Sequence, residues 1–174
     1  MQITTDRFTL RPWRAEDAPS LARHADNIRI WRNVRDCFPH PYTEEDARAY
    51  IGYTLSEPEI ENLAIVIDGQ AVGGVGIDFL TDIQRYNAEL GYWLGEPYWG
   101  QGLMSEIITA TCAHLFRATR INRIFAPVFD YNRASMRVLE KNGFTLCGIM
   151  HRAAVKDGQT FDLHYFELLK QPTR

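Results

Sequence analysis

One feature limits the possible folds of this chain more than any other. It is a strand-like run that is interrupted by two spaced glycines and then continues as a helix. The segment reads Gly91-Tyr-Trp-Leu-Gly-Glu-Pro-Tyr-Trp-Gly-Gln-Gly-Leu-Met-Ser-Glu106. Gly100 and Gly102 can adopt backbone angles that are closed to other residues, and they let main-chain N–H groups approach a ligand closely. The following helix adds unpaired N–H groups and the positive end of its dipole. The segment therefore predicts a loop that holds phosphate groups mainly through its main chain.

A second signature follows one predicted helix and one predicted strand later. It reads Asn132-Arg-Ala-Ser-Met-Arg-Val-Leu-Glu-Lys-Asn-Gly-Phe144. Asn132 is a favourable N-cap, and Asn142-Gly143 is a typical helix end, so the segment predicts a short helix. A Gly-x-Gly pair alone is weak evidence for a phosphate site. The second signature strengthens that evidence.

The composition is that of one enzyme-sized domain. The chain has 174 residues, of which 45% are hydrophobic and 12% aromatic, enough for a sizeable core in a single domain over residues 1–174. The net charge of −3 argues against general binding of nucleic acid or of an anionic membrane. No apolar run approaches the roughly 18 residues of a membrane span, and the N-terminus lacks the apolar region of an export signal.

The cysteines and histidines give no sign of a metal site. Cys37, Cys112 and Cys147 are an odd set without C-x-x-C spacing, so neither a disulfide framework nor a zinc site is indicated. The five histidines also lack the spacing of metal ligands. We therefore expect a cytoplasmic protein without a metal.

Hydrophobic periodicity and turn signals predict seven strands and four main helices. The strands are expected at residues 7–13, 63–67, 71–80, 87–94, 121–129, 144–150 and 161–169. Helices are expected at about 18–25, at 43–55, after the glycine loop, and from Asn132 to Asn142. Asp68-Gly69 and Asp157-Gly158 predict hairpin turns.

Together these segments resemble the GNAT superfamily of acetyl-CoA-dependent N-acetyltransferases, in the branch of the ribosomal-protein alanine acetyltransferases RimJ and RimL. The resemblance covers nearly the whole chain. Its motifs are Leu10-Arg-Pro-Trp13, Gly91-Tyr-Trp-Leu94 running into Trp99-Gly-Gln-Gly102, Asn132-x-x-Ser135, Asn142-Gly-Phe144, and the Asp157-Gly158 hairpin with Asp162. It implies an α/β (α+β) fold with a single mixed, mostly antiparallel seven-stranded sheet flanked by helices. The sheet would be splayed between the fourth and fifth strands, at 87–94 and 121–129.

The resemblance also implies acetyl-CoA as cosubstrate and assigns residues to it. The pantetheine arm would lie in the splay, with N–H groups of Trp93 and Leu94 binding it and the thioester carbonyl. The alternative for these N–H groups is ordinary sheet pairing. The pyrophosphate would bind main-chain N–H groups of Trp99, Gly100, Gln101, Gly102, Leu103 and Met104. The alternative for this segment is a tight turn without a ligand. Asn132 and Ser135 would contact the pantetheine and its thiol.

Acetyl transfer to an amine requires a neutral amine, an aligned carbonyl and stabilisation of the developing oxygen charge. Glu89 is the candidate base on the fourth strand, and the alternative is a solvent-facing strand glutamate. Ser135 is the candidate acid by resemblance, and the alternative is a serine that satisfies local backbone groups. Two departures from the superfamily stand out. Pro97 replaces a common Gln or Arg, and Leu139 replaces a frequent tyrosine acid.

The acceptor is expected to be a primary amine, either a protein N-terminus or a small molecule. By resemblance, Trp31, Phe38 and Tyr42 would bind it, with His40 and Tyr165 nearby, although Trp31 and Phe38 are equally suited to a core. The leading function is direct acetyl transfer by a monomer or homodimer, with neither nucleic acid nor membrane as partner. The alternative is a non-catalytic acyl-CoA-binding domain, which Leu139 motivates.

Overall fold

The computed structural model describes residues 1–56 and 61–171. Its strands and helices, in chain order, are β1 Ile3–Thr4, β2 Thr9–Pro12, α1 Ala18–Ala25, α2 Ile28–Trp31, α3 Glu44–Ser56, β3 Glu61–Ile67, β4 Gln70–Phe79, β5 Asn87–Leu94, α4 Leu103–Ala118, β6 Arg123–Phe129, α5 Arg133–Lys141, β7 Thr145–Lys156 and β8 Gln159–Leu169. Short 3-10 turns at Ala15–Asp17, Asp82–Gln84 and Glu96–Tyr98 precede α1, β5 and α4.

The strands form one mixed sheet flanked by helices, in the order β1-β2-β3-β4-β5-β6-β8-β7, which confirms the predicted fold class. The predicted number of strands was seven, and the part of the chain that the structure describes contributes eight strands to the sheet. The additional strand is β1, in which Ile3 lies opposite Leu10 and Thr4 opposite Thr9. Two residues are too few to produce the alternation by which a strand is recognised in a sequence.

The two parallel strands at the centre of the sheet pair with each other at their N-terminal ends. β5 and β6 run parallel, with Asn87 opposite Arg123 and Glu89 opposite Phe125. This pairing covers the first three residues of both strands, which fits the predicted splay. The neighbouring β6–β8 and β8–β7 pairings are antiparallel.

Both predicted Asp-Gly hairpins are present. Asp68 and Gly69 have φ angles of 48° and 78°, and Asp157 and Gly158 have φ angles of 51° and 71°. Two successive residues with positive φ match the right-handed twist of the strands on either side. The second hairpin is longer than expected, because β7 and β8 continue to the turn itself.

The chain divides into two compact units. The first comprises Met1–Ile77 and Gly91–Leu103, and the second comprises Asp78–Leu90 and Met104–Arg174. The core of the first unit is formed by buried residues of α1, α3, β3 and β4, together with one residue directly after β2 and one shortly before α3. They include Trp13, Leu21, Tyr42, Ile51, Ala64 and Val66, with Phe38, Tyr50 and Trp93 packed against them.

Most of the buried side chains described in the second unit lie on α4, β6, α5 and β8. They include Ile107, Ile108, Leu115, Ile124, Val128, Met136, Leu139 and Phe166. Along α4, Ile108, Cys112 and Leu115 are buried, whereas Met104 is half-buried.

Candidate functional site

In the first unit, the end of β5 is fixed against two glycines of β4. A Cβ atom at Gly73 would lie 2.5 Å from the Trp93 carbonyl oxygen, and one at Gly74 would lie 2.8 Å from the Trp93 indole nitrogen. Such separations are shorter than real Cβ contacts, so glycine is required at both positions. The N–H of Gly95 donates to the Val72 carbonyl at 2.7 Å and holds the chain as it leaves the strand.

Trp99 donates two hydrogen bonds within the turn after β5. Its indole Nε1 donates to the Leu94 carbonyl at 2.6 Å, which ties the turn to the end of the strand. Its main-chain N–H donates to the Glu96 carbonyl at 3.1 Å. The Trp99 N–H, predicted to bind pyrophosphate, is therefore already used inside the turn.

The glycine loop has the expected backbone conformation. Gly100 and Gly102 have φ angles of 74° and 76°, in the left-handed region that other residues seldom adopt. Gln101 is held at both ends, since its Nε2 donates to the Pro97 carbonyl at 3.0 Å and its carbonyl accepts from Arg7 Nη2 at 3.1 Å. The loop leads directly into Leu103, the first residue of α4.

Sequence reasoning missed a basic residue beside this turn. Arg29 forms an ion pair with Glu96, and its guanidinium carbon lies 5.0 Å from the centroid of the Trp99 ring. Asn27 Nδ2 also donates to Glu96, at 2.7 Å. These contacts join α2 and its N-cap Asn27 to the turn that precedes the glycine loop. No local pattern in the sequence signals pairing over such a long separation.

The predicted acceptor residues belong to two aromatic groups. Phe38 lies 4.7 Å from Tyr42 and 5.5 Å from Trp93 between ring centroids. Tyr42 is only 6% exposed, and burial raises the pKa of its hydroxyl. Tyr42 is therefore a core residue, whereas Phe38 is half-buried.

The second group contains Trp31, which is half-buried. Its ring centroid lies 5.9 Å from that of His40, and His40 Nδ1 lies 3.4 Å from Asp26 Oδ1. The same carboxylate oxygen accepts the Tyr42 N–H at 3.0 Å. Asp26 thus fixes the segment that carries the predicted acceptor residues.

In the second unit, Asn132 is the N-cap of α5. Its Oδ1 accepts the Ser135 N–H at 3.1 Å, as predicted for this position. Ser135 is half-buried, and its main chain rather than its hydroxyl makes this capping bond. Leu139, one turn later, is fully buried at 0% exposure, so the position of the frequent tyrosine acid belongs here to the core.

Glu89 lies in the part of β5 that belongs to the second unit. It is half-buried and opposite Phe125 of β6. Tyr165 of β8 stacks on Phe125, with 6.2 Å between ring centroids. The structure therefore brings Tyr165 next to the strand position that faces Glu89.

A cluster at the β7–β8 hairpin was also missed. The β7 register shifts between Met150 and Ala154, and Arg152 there has a φ of 54°. Asp162 Oδ1 accepts the Arg152 N–H at 2.7 Å, and its Oδ2 lies 2.7 Å from His151 Nδ1. These bonds hold the pKa of the Asp162 carboxyl below its usual value, the Arg152 N–H having the largest effect. The resemblance singled out Asp162, but nothing in the sequence pattern connected it with His151.

Across residues 1–56 and 61–171, no group of three or more His, Cys, Asp or Glu residues could hold a metal ion. Within the same described ranges, no helix is both long enough and apolar enough to cross a membrane.

Comparison with known proteins gives consistent matches. The family model described as an acetyltransferase (GNAT) domain matches residues 7–145. The N-acetyltransferase p20 of Bacillus licheniformis is 27% identical over 97% of this chain and 96% of its own length. The [ribosomal protein uS5]-alanine N-acetyltransferase of Escherichia coli K12 is 26% identical over 99% of this chain and 92% of its own.

Among solved structures, RimL, a ribosomal L7/L12 alpha-N-protein acetyltransferase in complex with coenzyme A, superposes with a TM-score of 0.87. It is 23% identical and is matched over 97% of this chain and 98% of its own. At that identity the match shows a common fold.

Proposed function

We propose that the natural acceptor of this chain is the α-amine of a protein N-terminus. The chain belongs to the acetyltransferase (GNAT) family and is an acetyl-CoA-dependent N-acetyltransferase. The observation that carries the proposal is the match, over nearly the full length of both chains, to an E. coli enzyme that acetylates an alanine of ribosomal protein uS5. An α-amine also suits the chemistry. Its pKa of about 8 is well below that of a lysine side chain, so a weak base suffices near neutral pH.

The segment from the end of β5 to the first residues of α4 supplies the main-chain groups proposed for acetyl-CoA. We assign the thioester carbonyl and pantetheine to the N–H groups of Trp93 and Leu94. Gly100 to Met104 receive the pyrophosphate, since the Trp99 N–H is used within its own turn. Support comes from the positive φ angles of Gly100 and Gly102 and from the N–H groups of a helix first turn, which the helix itself leaves unpaired.

In the second unit we assign Asn132 to the pantetheine and Ser135 to the departing thiol. The candidate base from the sequence, Glu89, is half-buried on β5 and would act through water. On the acceptor side we propose contacts from Trp31 and Phe38, with buried Tyr42 packed against Phe38.

We also propose that the enzyme acts in a reducing cytoplasm, as a monomer or homodimer. Cys37 and Cys147 are exposed free thiols, and Cys112 is a buried one. Free exposed thiols are typical of reducing compartments. A non-catalytic acyl-CoA-binding role is not favoured, because relatives matched over nearly their full length are N-acetyltransferases.

The proposed acceptor is tested by measuring thiol release from acetyl-CoA. The panel contains peptides beginning with Ala, Ser or Met, each also in an N-terminally blocked form, together with polyamines, amino acids and aminoglycosides. We expect turnover with free peptides, none with their blocked forms, and addition of one acetyl group at the α-amine by mass spectrometry. Turnover confined to a small amine would reject the peptide N-terminus as acceptor and leave the family assignment intact.

A further inference from the structure

Asp26 is anchored by the helix that it follows. It is the C-cap of α1, and its N–H donates to the Ala22 carbonyl at 3.0 Å. Leu21 and Ala25 of the same helix are buried in the core of the first unit. The main chain of Asp26 is therefore fixed to this core, whereas its side chain is 47% exposed.

The carboxylate of Asp26 holds the chain shortly before α3. Its Oδ1 accepts the Tyr42 N–H at 3.0 Å and lies 3.4 Å from His40 Nδ1. Residues 32–43, all of which the structure describes, contain neither a helix nor a strand, so this stretch depends on such contacts for its position. The bond from the Tyr42 N–H is partly buried, which makes it stronger than a fully solvated one.

Phe38 lies on the stretch of chain that this bond holds. Its ring centroid lies 4.7 Å from that of Tyr42 and 5.5 Å from that of Trp93. The planes of the Phe38 and Trp93 rings are 77° apart, an edge-to-face arrangement that aromatic pairs favour. The place of the Phe38 ring beside Trp93 therefore follows from the place of Tyr42.

Trp93 is the fixed partner in this ring contact. A Cβ atom at Gly74 would lie 2.8 Å from its indole nitrogen, and one at Gly73 would lie 2.5 Å from its carbonyl oxygen. Both its side chain and its main chain are thus held closely against β4. The Phe38 side of the contact is the one that can shift, and Asp26 limits that shift.

We propose that Asp26 is a positioning residue for the acceptor: through Tyr42 it holds the Phe38 ring at the place where the acceptor binds. This inference rests on the proposed function, which assigns Phe38 to the acceptor and the Trp93 N–H to the thioester carbonyl. All four residues belong to the first unit. Because Asp26 acts only through the position of a ring, its loss should weaken acceptor binding and leave the rate of the bound complex unchanged.

The kinetic constants for the acceptor test this role. D26A removes the carboxylate and should raise the acceptor KM by about tenfold, as expected for the loss of one hydrogen bond. The kcat and the Kd for acetyl-CoA should stay near their wild-type values. D26N keeps an oxygen that can accept the Tyr42 N–H and should restore most of the affinity for the acceptor. A loss of kcat in D26A at an unchanged KM would contradict the proposal.

D46A is the matched control for D26A. Asp46, in the first turn of α3, also accepts a main-chain N–H, that of Thr43 at 2.8 Å, but this bond belongs to the start of the helix. D46A should therefore keep the wild-type acceptor KM. Equal increases of KM in D26A and D46A would mean that any loosening of this part of the chain weakens acceptor binding, and would refute a specific role of Asp26.

A double-mutant cycle tests whether Asp26 acts through Phe38. F38A should itself raise the acceptor KM, because it removes a proposed contact. D26A should then add nothing in the F38A background, since the ring that Asp26 positions is gone. If the two variants instead raise KM independently of each other, Asp26 does not act through Phe38 and the proposal fails.

Proton NMR signals of the Trp93 indole test the positioning without any acceptor. The neighbouring Phe38 ring shifts these signals, and F38A gives their values in its absence. We expect D26A to move them toward the F38A values and D26N to leave them near wild type, whereas unchanged signals in D26A would overturn the proposal. If no peptide is acetylated, the acceptor proposal fails, and KM is measured with whichever amine of the panel is used.

Discussion

The cap of the helix that carries Ser135 depends on the main chain of this residue. Asn132 caps α5 through the main-chain N–H of Ser135, and alanine keeps that N–H. We therefore expect S135A to lower kcat by up to about 10²-fold, the lower end of the range for a proton-transferring group. Rapid-mixing measurement of thiol release gives kcat, and calorimetry with coenzyme A should give a nearly unchanged Kd.

N132A is the contrasting variant for Ser135. It removes the cap itself and should cost about 1 kcal/mol of the free energy of unfolding, which S135A should not. Wild-type turnover in S135A would remove the hydroxyl from the mechanism and leave Ser135 as part of the helix end.

At the scale of elements, the turn before the glycine loop is held from outside by α2. Arg29 contacts both Glu96 and the Trp99 ring. An exposed cation–π contact and an exposed ion pair together contribute about 1–2 kcal/mol. We expect R29A to weaken acetyl-CoA binding by about tenfold, because the loop then orders only on binding. Calorimetric titration with acetyl-CoA measures the change.

R48A provides a matched control for R29A. Arg48 is as exposed as Arg29, at 63% of its side chain, and it also pairs with a glutamate, Glu44 of α3. Equal effects of the two variants on acetyl-CoA affinity would show that Arg29 has no special role in holding the loop.

The elements also show what could be predicted from the sequence. Local rules located the Asp68-Gly69 turn, the left-handed glycines of the loop and the Asn132 cap, because each depends on residues close together in the chain. The Arg29–Glu96 pair joins segments that are 67 residues apart, and the His151–Asp162 pair depends on a register shift inside the last hairpin. No periodicity in the sequence reports either pair. β1 could not be predicted, because a two-residue strand is recognised only by its pairing with a neighbouring strand. The loop could thus be predicted, whereas the contacts that hold it in place could not.

At the scale of the whole molecule, a buried ion pair lies beside the first strands. Arg11 and Asp17 are 8% and 6% exposed and form two bonds of 2.7 and 2.8 Å. The bond to Asp17 raises the pKa of Arg11. Removing one partner of a buried pair leaves an uncompensated charge, so D17A should lower the free energy of unfolding by about 3–5 kcal/mol. The double variant R11M/D17L should lose much less, since neither charge remains buried.

The same variant tests whether residues 1–174 behave as one domain. All four tryptophans, Trp13, Trp31, Trp93 and Trp99, belong to the first unit, so their fluorescence reports its unfolding in urea. Cys112 of the second unit is 4% exposed, and burial raises the pKa of its thiol to about 12. Its reaction with a thiol reagent, in a background with Cys37 and Cys147 replaced by serine, therefore reports unfolding of the second unit. For one cooperative domain, D17A must lower both midpoints by the same amount, whereas an unshifted Cys112 transition would show that the two units unfold independently.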